Sequence, residues 1–125
     1  MNEPIRRLPD TELEVMQAVW NCTPPVSKSD IESIVYTSHP MAETTLQTLL
    51  TRLSQKGFLC FKIEKRKKYY SPLVSQEDYQ IAQSKSFFKK VCGGNLSAFA
   101  NALCEGGLTK DEVTELRKLL EEGQL

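Results

Sequence analysis

The sequence predicts a mainly α-helical protein with one small β-hairpin, arranged in two parts along the chain. Apolar residues recur at helical spacing in six segments, and one run of strand formers is followed by a shorter return run. Proline or glycine separates most of these elements. The chain has 125 residues, of which 40% are hydrophobic. This is enough for one compact domain or two very small ones.

The first helix is predicted from about Asp10 to Asn21, because Leu13 and Met16 fall on one face. Asp10 is expected to cap its start. The helix is expected to end before Pro24, because proline lacks an amide proton and restricts the preceding residue.

The second helix is predicted to begin at Ser27, because Ser27 and Asp30 have the spacing of a capping box. Ile31 and Val35 lie on its apolar side. The segment from Tyr36 to Pro40 is predicted to form a turn before the next helix.

The third helix is predicted from about Ala42 to Lys56. Four leucines recur at i, i+3, i+4 and i+7, so one face of this helix is expected to be buried. These leucines are Leu46, Leu49, Leu50 and Leu53. Gly57 follows at the position where glycine commonly ends a helix.

A hairpin is predicted next, with strands at Phe58–Ile63 and Tyr69–Pro72. The segment between them contains no glycine, and we expect a flexible loop of four or five residues. Three helices followed by a hairpin predict a winged helix-turn-helix domain over residues 1–74.

The second part, residues 75–125, is predicted to contain three short helices separated by Gly93-Gly94 and Gly106-Gly107. About fifty residues bury little apolar surface alone, so we predict a homodimerisation domain. The predicted dimerisation residues are Phe87, Phe88, Val91, Leu96, Phe99, Leu103, Leu116, Leu119 and Leu120.

Composition excludes several classes of function. No apolar run approaches the roughly 18 residues of a membrane span, and the first five residues contain no apolar leader. We therefore expect a cytoplasmic protein without membrane contact. The four cysteines lack metal-binding spacing, so they are expected to be reduced and mostly buried. No catalytic motif is found, and no enzyme activity, cofactor or metal is expected.

The net charge of zero conceals an uneven distribution. The segment from Thr44 to Tyr70 contains seven basic residues and one acidic residue, Glu64. The segment from Gln76 to Leu125 contains six basic residues and eight acidic ones. A local basic patch of this kind is typical of a nucleic-acid contact.

The third helix is predicted to contact DNA through the face opposite its leucines. Threonine is a poor helix former, so four threonines there are not explained by helix stability. Short hydroxyl side chains and an amide can approach bases or phosphates, and threonine methyls can contact the thymine methyl. This predicted reading face consists of Thr44, Thr45, Gln47, Thr48, Thr51 and Arg52.

The hairpin is predicted to bind phosphates, which adds affinity but little sequence information. Its basic residues, called the wing cations below, are Lys62, Lys65, Arg66, Lys67 and Lys68. Two interpretations remain open: a sequence-specific repressor of double-stranded operator DNA, and a winged-helix protein-interaction module that does not bind DNA. The second predicts an apolar exposed face on the third helix.

The chain resembles the penicillinase-repressor (BlaI/MecI/CopY) family along essentially its whole length. The resemblance lies in Glu14–Trp20 after Leu8-Pro9, in Thr45–Leu53 with Lys56-Gly57, in Tyr69–Pro72, and in Phe87-Phe88 followed by Gly93-Gly94 and Leu96. It implies a winged-helix repressor of antibiotic-resistance or metal-homeostasis genes, with a helical dimerisation domain and a dyad-symmetric operator. By position, it assigns operator reading to Thr45, Gln47, Thr48 and Arg52.

The resemblance also implies a regulatory route. In the antibiotic-responsive branch a membrane sensor leads to cleavage at an Asn-Phe bond in the dimerisation domain. The matching bond here is Ala98-Phe99, so the asparagine is absent. The copper-responsive branch ends in paired Cys-x-Cys motifs, whereas Cys104 stands alone here.

Overall fold

The structure is a computed structural model that describes residues 5–121, without the side chain of residue 120. The chain divides into two compact units, Met1–Ala82 and Gln83–Leu125, and the boundary lies within a helix. The division into functional domains 1–74 and 75–125 stays a prediction. Within the described residues no helix is long and apolar enough to span a membrane.

The first unit contains three helices and a small sheet. Its elements are α1 (Asp10–Trp20), β1 (Val26–Ser27), α2 (Lys28–Ser38), α3 (Glu43–Gln55), β2 (Leu59–Glu64) and β3 (Lys67–Pro72). The predicted order of three helices and a hairpin is confirmed, and so is the mainly α fold class. The hairpin formed by β2, β3 and their turn is called the wing below.

The sheet is antiparallel with strand order β1-β3-β2. Tyr70 of β3 is paired with Val26 on one side and Phe61 on the other, and its side chain is buried. The strand β1 was not predicted, because two residues are too few to show an alternating pattern.

The core of the first unit lies between the three helices and the base of the sheet. Its fully buried side chains include Val15, Met16 and Val19 of α1 and Ile31 of α2. Tyr79 closes the core from the next helix: its hydroxyl accepts a hydrogen bond from the Leu8 amide at 2.9 Å. The leucines of α3 belong to the same buried cluster, so α3 packs against α1, α2 and the base of the sheet.

Two predicted helix termini are wrong. Asp10 is the first residue of α1, and Pro9 occupies the capping position without a side-chain bond. Proline is common near helix starts, and the Asp10 carboxylate still lies at the positive end of the helix dipole. The predicted turn at Tyr36–Pro40 is instead helical as far as Ser38, because the His39 amide still donates to the Val35 carbonyl at 2.8 Å.

The predicted cap at Ser27 is confirmed by its hydroxyl, which accepts from the Asp30 amide.

The turn of the wing also differs from the prediction of a flexible loop. Glu64 and Lys67 are paired across the strands, so only Lys65 and Arg66 connect them. Both have positive φ, 49° and 68°, as in the type I′ turns whose twist matches that of a hairpin. The absence of glycine suggested a longer loop, but the sheet register imposes a tight turn.

The second unit contains most of α4 (Gln76–Lys90) together with α5 (Leu96–Glu105) and α6 (Lys110–Glu121). The last helix begins with a capping box: the Thr109 amide donates to the Glu112 carboxylate, and the Glu112 amide donates to the Thr109 hydroxyl. Phe99 lies against Phe87 and Phe88, with ring centroids 6.0 and 5.5 Å apart.

Candidate nucleic-acid interface

The leucine stripe fixes the orientation of α3. Leu46, Leu50 and Leu53 are fully buried, and Leu49 is only 5% exposed. The opposite side therefore points away from the core. Every member of the reading face is exposed except Gln47, which is half-buried. This face is polar, whereas the protein-interaction alternative predicts an apolar one.

The threonines of the reading face are bonded to their own helix. The Thr48 hydroxyl donates to the Thr44 carbonyl, and the Thr51 hydroxyl donates to the Gln47 carbonyl, each at 2.9 Å. Their protons are therefore already used, while the oxygens can still accept a hydrogen bond. In this rotamer Thr48 and Thr51 offer methyl groups and acceptors to a ligand rather than donors.

The charged groups at the two ends of α3 are paired. At the start, Glu43 accepts a hydrogen bond from Lys28 of α2 at 3.2 Å. At the end, Lys56 donates to Glu12 of α1 at 2.6 Å, and the Glu12 side chain is only 4% exposed. Lys56 therefore contributes less to the basic patch than its sequence position suggested. Arg52 remains exposed on the reading face.

The wing cations are exposed except Lys68, which is half-buried. Within residues 5–121 none of them has a carboxylate within 4.0 Å. In the described part of the chain, none of the five is therefore held in an ion pair. A group of cations on a tight turn can attract a polyanion such as the phosphate backbone.

A groove of about 350 Å³ lies between α3 and the wing. Gln47, Thr51 and Gln55 line it from α3, whereas Phe61 and Lys68 line it from the wing. Phe61 was not predicted to belong to the candidate interface, because an aromatic residue in a predicted strand is expected to be buried. The structure leaves it 45% exposed.

The cysteines depart from the expectation that most are buried. Cys60 and Cys104 are exposed, and Cys22 and Cys92 are half-buried; all four are free thiols. No group of three or more possible metal ligands occurs among the residues that the structure describes.

The predicted dimerisation residues lie in the second unit, where no described side chain is buried. Phe87, Val91 and Leu96 are 39%, 71% and 71% exposed. Phe88, Phe99, Leu103, Leu116 and Leu119 are half-buried, and the side chain of Leu120 lies outside the described residues. The Ala98-Phe99 bond lies in the first turn of α5, where the Ala98 amide is capped by Asn95.

A helix-turn-helix with a polar outer face on its second helix, next to a basic hairpin, defines a DNA-binding protein of the winged-helix class. The model of the penicillinase repressor family matches residues 8–122. The chain belongs to this family, and it is a DNA-binding transcriptional repressor rather than an enzyme.

Relatives of similar length share about a third of their residues with this chain. The penicillinase repressor of Bacillus licheniformis is 34% identical over 119 residues, which are 94% of this chain and 92% of the relative. The methicillin resistance regulatory protein MecI of Staphylococcus aureus (strain N315) is 32% identical over 121 residues, which are 96% of this chain and 98% of MecI. The predicted family resemblance is therefore confirmed.

Two solved structures share the fold of part of the chain. The monomeric form of BlaI from Bacillus licheniformis, in complex with the blaP half-operator, has a TM-score of 0.51 and 31% identity. It covers 60% of this chain and 90% of the BlaI chain. The DNA-binding domain of the repressor BlaI has a TM-score of 0.54 and 29% identity. The match covers 63% of this chain and 94% of the BlaI domain. The winged-helix prediction is thus confirmed.

Proposed function

We propose that the protein represses antibiotic-resistance or metal-homeostasis genes in the cytoplasm by binding a dyad-symmetric operator as a homodimer. The observation that carries this proposal is the position of the reading face across one groove from the wing cations, which form no ion pair among the described residues. A related BlaI bound to a half-operator supports DNA as the partner.

In this proposal the two surfaces have different tasks. The reading face enters the major groove, where each base pair presents a distinct pattern, so it provides sequence preference. The wing cations neutralise phosphates and release counterions, so they provide affinity for any duplex. Thr48 lies centrally on the reading face, and Lys67 lies beside the wing turn.

Fluorescence anisotropy with the promoter DNA of the chain's own gene, and with an unrelated duplex, tests this division. Thr48→Ala is expected to reduce the preference for the promoter, whereas Lys67→Ala weakens binding to both duplexes alike. Lys67→Ala is also expected to reduce the slope of log affinity against log salt by about 0.9. Salt-resistant binding without sequence preference would contradict the proposed function.

A matched pair identifies the group of Thr48 that matters. Thr48→Val keeps both branches of the side chain but removes the hydroxyl, and Thr48→Ser keeps the hydroxyl but removes the methyl. Because the Thr48 hydroxyl proton is bonded within the helix, we expect Thr48→Val to retain sequence preference and Thr48→Ser to lose it. The opposite order would show that the hydroxyl contacts the bases.

Homodimerisation through the second unit is supported by its exposed apolar side chains and by the absence of buried ones among its described residues. A dimer with two-fold symmetry would place two copies of α3 on two half-sites. Each copy would then contribute its own reading face, so the affinity for a complete operator would far exceed that for one half-site.

For inactivation, we propose a sensor-linked protease that cuts between Ala98 and Phe99. The position of Phe99 among the aromatic residues of the second unit supports this, because the cut would separate Phe99 from the chain that carries Phe87 and Phe88. Intact-mass measurement of the protein from cells exposed to a β-lactam would show fragments ending at Ala98 and beginning at Phe99. An intact chain in derepressed cells would exclude this route.

A further inference from the structure

A second cavity, of about 310 Å³, lies beside the end of α3, and the proposed function gives it no role. It is separate from the groove between α3 and the wing. Sites for small molecules commonly have volumes from about 300 Å³ upward. The cavity therefore has room for a small organic molecule, although not for a folded partner.

The lining of this cavity combines apolar surface with positive charge. The apolar side chains are those of Ile5, Phe58 and Val74. The polar side chains are those of Arg6, Gln55 and Lys56. Among the residues that the structure describes, no carboxylate lines the cavity. A ligand there meets apolar carbon on one part of its surface and two cations on another.

We propose that this cavity binds a small organic anion with an apolar chain, such as a medium-chain carboxylate, and that the bound anion weakens DNA binding. Charge identifies the occupant. Arg6 forms no ion pair among the described residues, and its planar guanidinium can donate two parallel hydrogen bonds to one carboxylate. The apolar chain of the anion would lose water contact against Phe58 and Val74.

Lys56 connects the cavity to the position of α3. Its ammonium donates to the buried Glu12 carboxylate at 2.6 Å, and its amide donates to the Arg52 carbonyl in the last turn of α3. When a second carboxylate enters the cavity, the ammonium serves two anions instead of one, and the contact with Glu12 is weakened. This contact joins α1 to the end of α3, so the end of α3 is held less firmly.

The last turn of α3 also separates the cavity from the groove beside the wing. Gln55 lines both of them, with Lys56 on the side of the cavity and Thr51 on the side of the groove. A displacement of this turn therefore reaches the proposed interface directly. The effect on DNA binding rests on the proposed function, whereas the binding of the anion does not. By linkage, bound DNA lowers the affinity for the anion by the same factor.

Trp20 provides a measurement of ligand binding that needs no DNA. It is the single tryptophan of the chain, and its indole nitrogen donates to the Val74 carbonyl at 2.9 Å. Because Val74 lines the cavity, an occupant is expected to change the fluorescence of Trp20.

Titration of the full-length protein with octanoate at neutral pH tests the site. We expect a saturable change in Trp20 emission. Octanamide, which has the same chain without the charge, should bind about tenfold more weakly. Acetate, which has the charge without the chain, should also bind at least about tenfold more weakly.

Arg6→Gln tests the position of the carboxylate. It is expected to weaken octanoate binding about tenfold, because a charged donor is removed. Arg7→Gln is the matched control, since Arg7 is also exposed but does not line the cavity. Octanoate binding should be nearly unchanged in Arg7→Gln. Equal losses in both variants would indicate general charge attraction and would overturn the site.

The effect on DNA is measured with a duplex that the unmodified protein selects from a random-sequence library. Saturating octanoate is expected to weaken this complex about fivefold in the unmodified protein. At the same octanoate concentration, the complex of Arg6→Gln should be much less affected.

Each other result has a distinct meaning. Octanamide that binds as well as octanoate, or octanoate that leaves Trp20 emission unchanged and is not retained in equilibrium dialysis, would overturn the anion site. Octanoate that binds without changing DNA affinity would overturn the link to α3. If the unmodified protein selected no duplex, the proposed function would fail, while the Trp20 titration would still decide whether the cavity binds the anion.

Discussion

Among the residues that the structure describes, one charged side chain is buried, that of Glu12. Its partner is Lys56, which follows the last residue of α3. A buried carboxylate is costly unless it is paired and hydrogen-bonded. The 2.6 Å contact provides this pairing and joins α1 to the helix that carries the reading face. This pair therefore positions α3 at the end that the core leucines do not enclose.

Removal of Lys56 is expected to be more destabilising than removal of the Glu12 charge. Lys56→Met leaves a buried carboxylate without its cation and should lower the free energy of unfolding by about 2 kcal/mol. Glu12→Gln should cost about 1 kcal/mol, because the amide can still accept from Lys56. Urea denaturation of both variants and of the double variant Glu12→Gln/Lys56→Met measures the coupling. A double variant as unstable as the sum of both single changes would show no coupling.

Tyr36 gives a pH-dependent prediction. Burial raises the pKa of its phenol, and the nearby carboxylates of Glu32 and Glu43 raise it further, whereas Lys28 opposes them. The hydroxyl is shielded from solvent and has no hydrogen-bond partner among the described residues.

The folded state therefore holds the Tyr36 proton more tightly than the unfolded chain does. Its contribution to stability is complete below the unfolded pKa of 10.0 and is lost as the pH rises through the higher folded pKa. Thermal unfolding between pH 8 and 11.5 is expected to show a smaller alkaline decrease in Tm for Tyr36→Phe than for the unmodified chain. Parallel curves would show that Tyr36 does not contribute.

At the residue scale, local patterns predicted which side of α3 is buried and which is exposed. They did not predict the pairing of Lys56 with Glu12, because the partners lie 44 positions apart and only the tertiary fold brings them together. The role of each reading-face residue stays a prediction. Sequence shows their chemistry, but it does not show which hydroxyl protons are bonded within the helix.

At the scale of the element, the wing turn has charged residues at its two central positions, where other residues would make the turn more stable. Lys65 and Arg66 both adopt positive φ, which side-chain-bearing residues rarely do. Asparagine and glycine are the usual residues in a two-residue turn of this kind. The two residues therefore make the turn less stable than asparagine and glycine would, but they place two cations at the end of the wing.

Lys65→Asn combined with Arg66→Gly is expected to separate these effects. The double variant should raise the free energy of unfolding by about 1 kcal/mol, because the new residues suit the turn. It should also reduce the salt slope of DNA binding by about two, since two cations are removed. Denaturant unfolding and anisotropy at several salt concentrations measure the two quantities.

Arg66→Lys is the control for this prediction, because it keeps both the charge and the backbone strain. We expect it to leave both the stability and the salt slope nearly unchanged. A double variant that loses stability would indicate that the lysine and arginine side chains stabilise the turn by contacts outside the strand register.

The sequence predicted the strands of the wing, because alternating strand formers are a local signal. The turn was predicted wrongly, because its geometry depends on strand register rather than on the turn residues. The strand β1 was missed for the same reason: Val26 and Ser27 are recognisable as a strand only through their pairing with Tyr70 and Tyr69.

At the scale of the whole molecule, the two units differ in the extent to which their side chains are buried. The first has a continuous core, whereas no described side chain of residues 83–121 is buried. If the second unit is stable only as a dimer, its stability depends on protein concentration. Sequence predicted this shortage of burial, because the apolar stripes exceed what about fifty residues can cover.

Thermal unfolding at two concentrations tests this dependence in the full chain. A tenfold increase in concentration should stabilise the dimer by about 1.4 kcal/mol and raise the Tm. Leu96→Asp should abolish the concentration dependence, because Leu96 is 71% exposed and becomes charged in the proposed interface. Leu73→Asp is a matched control in the first unit, where Leu73 is 60% exposed. A Tm independent of concentration would contradict the proposed dimer.

The internally bonded threonines of α3 have a consequence for how many promoters one such protein can control. Because the protons of Thr48 and Thr51 already have acceptors, a mismatched base leaves neither proton without a partner. At the bases opposite these two threonines, the cost of an altered operator is then mostly a matter of shape, and it is small. Discrimination between genes would consequently depend more on the spacing of two half-sites than on individual bases. A repressor built in this way could govern a set of diverged operators, and single base changes in a promoter would seldom release a gene from its control.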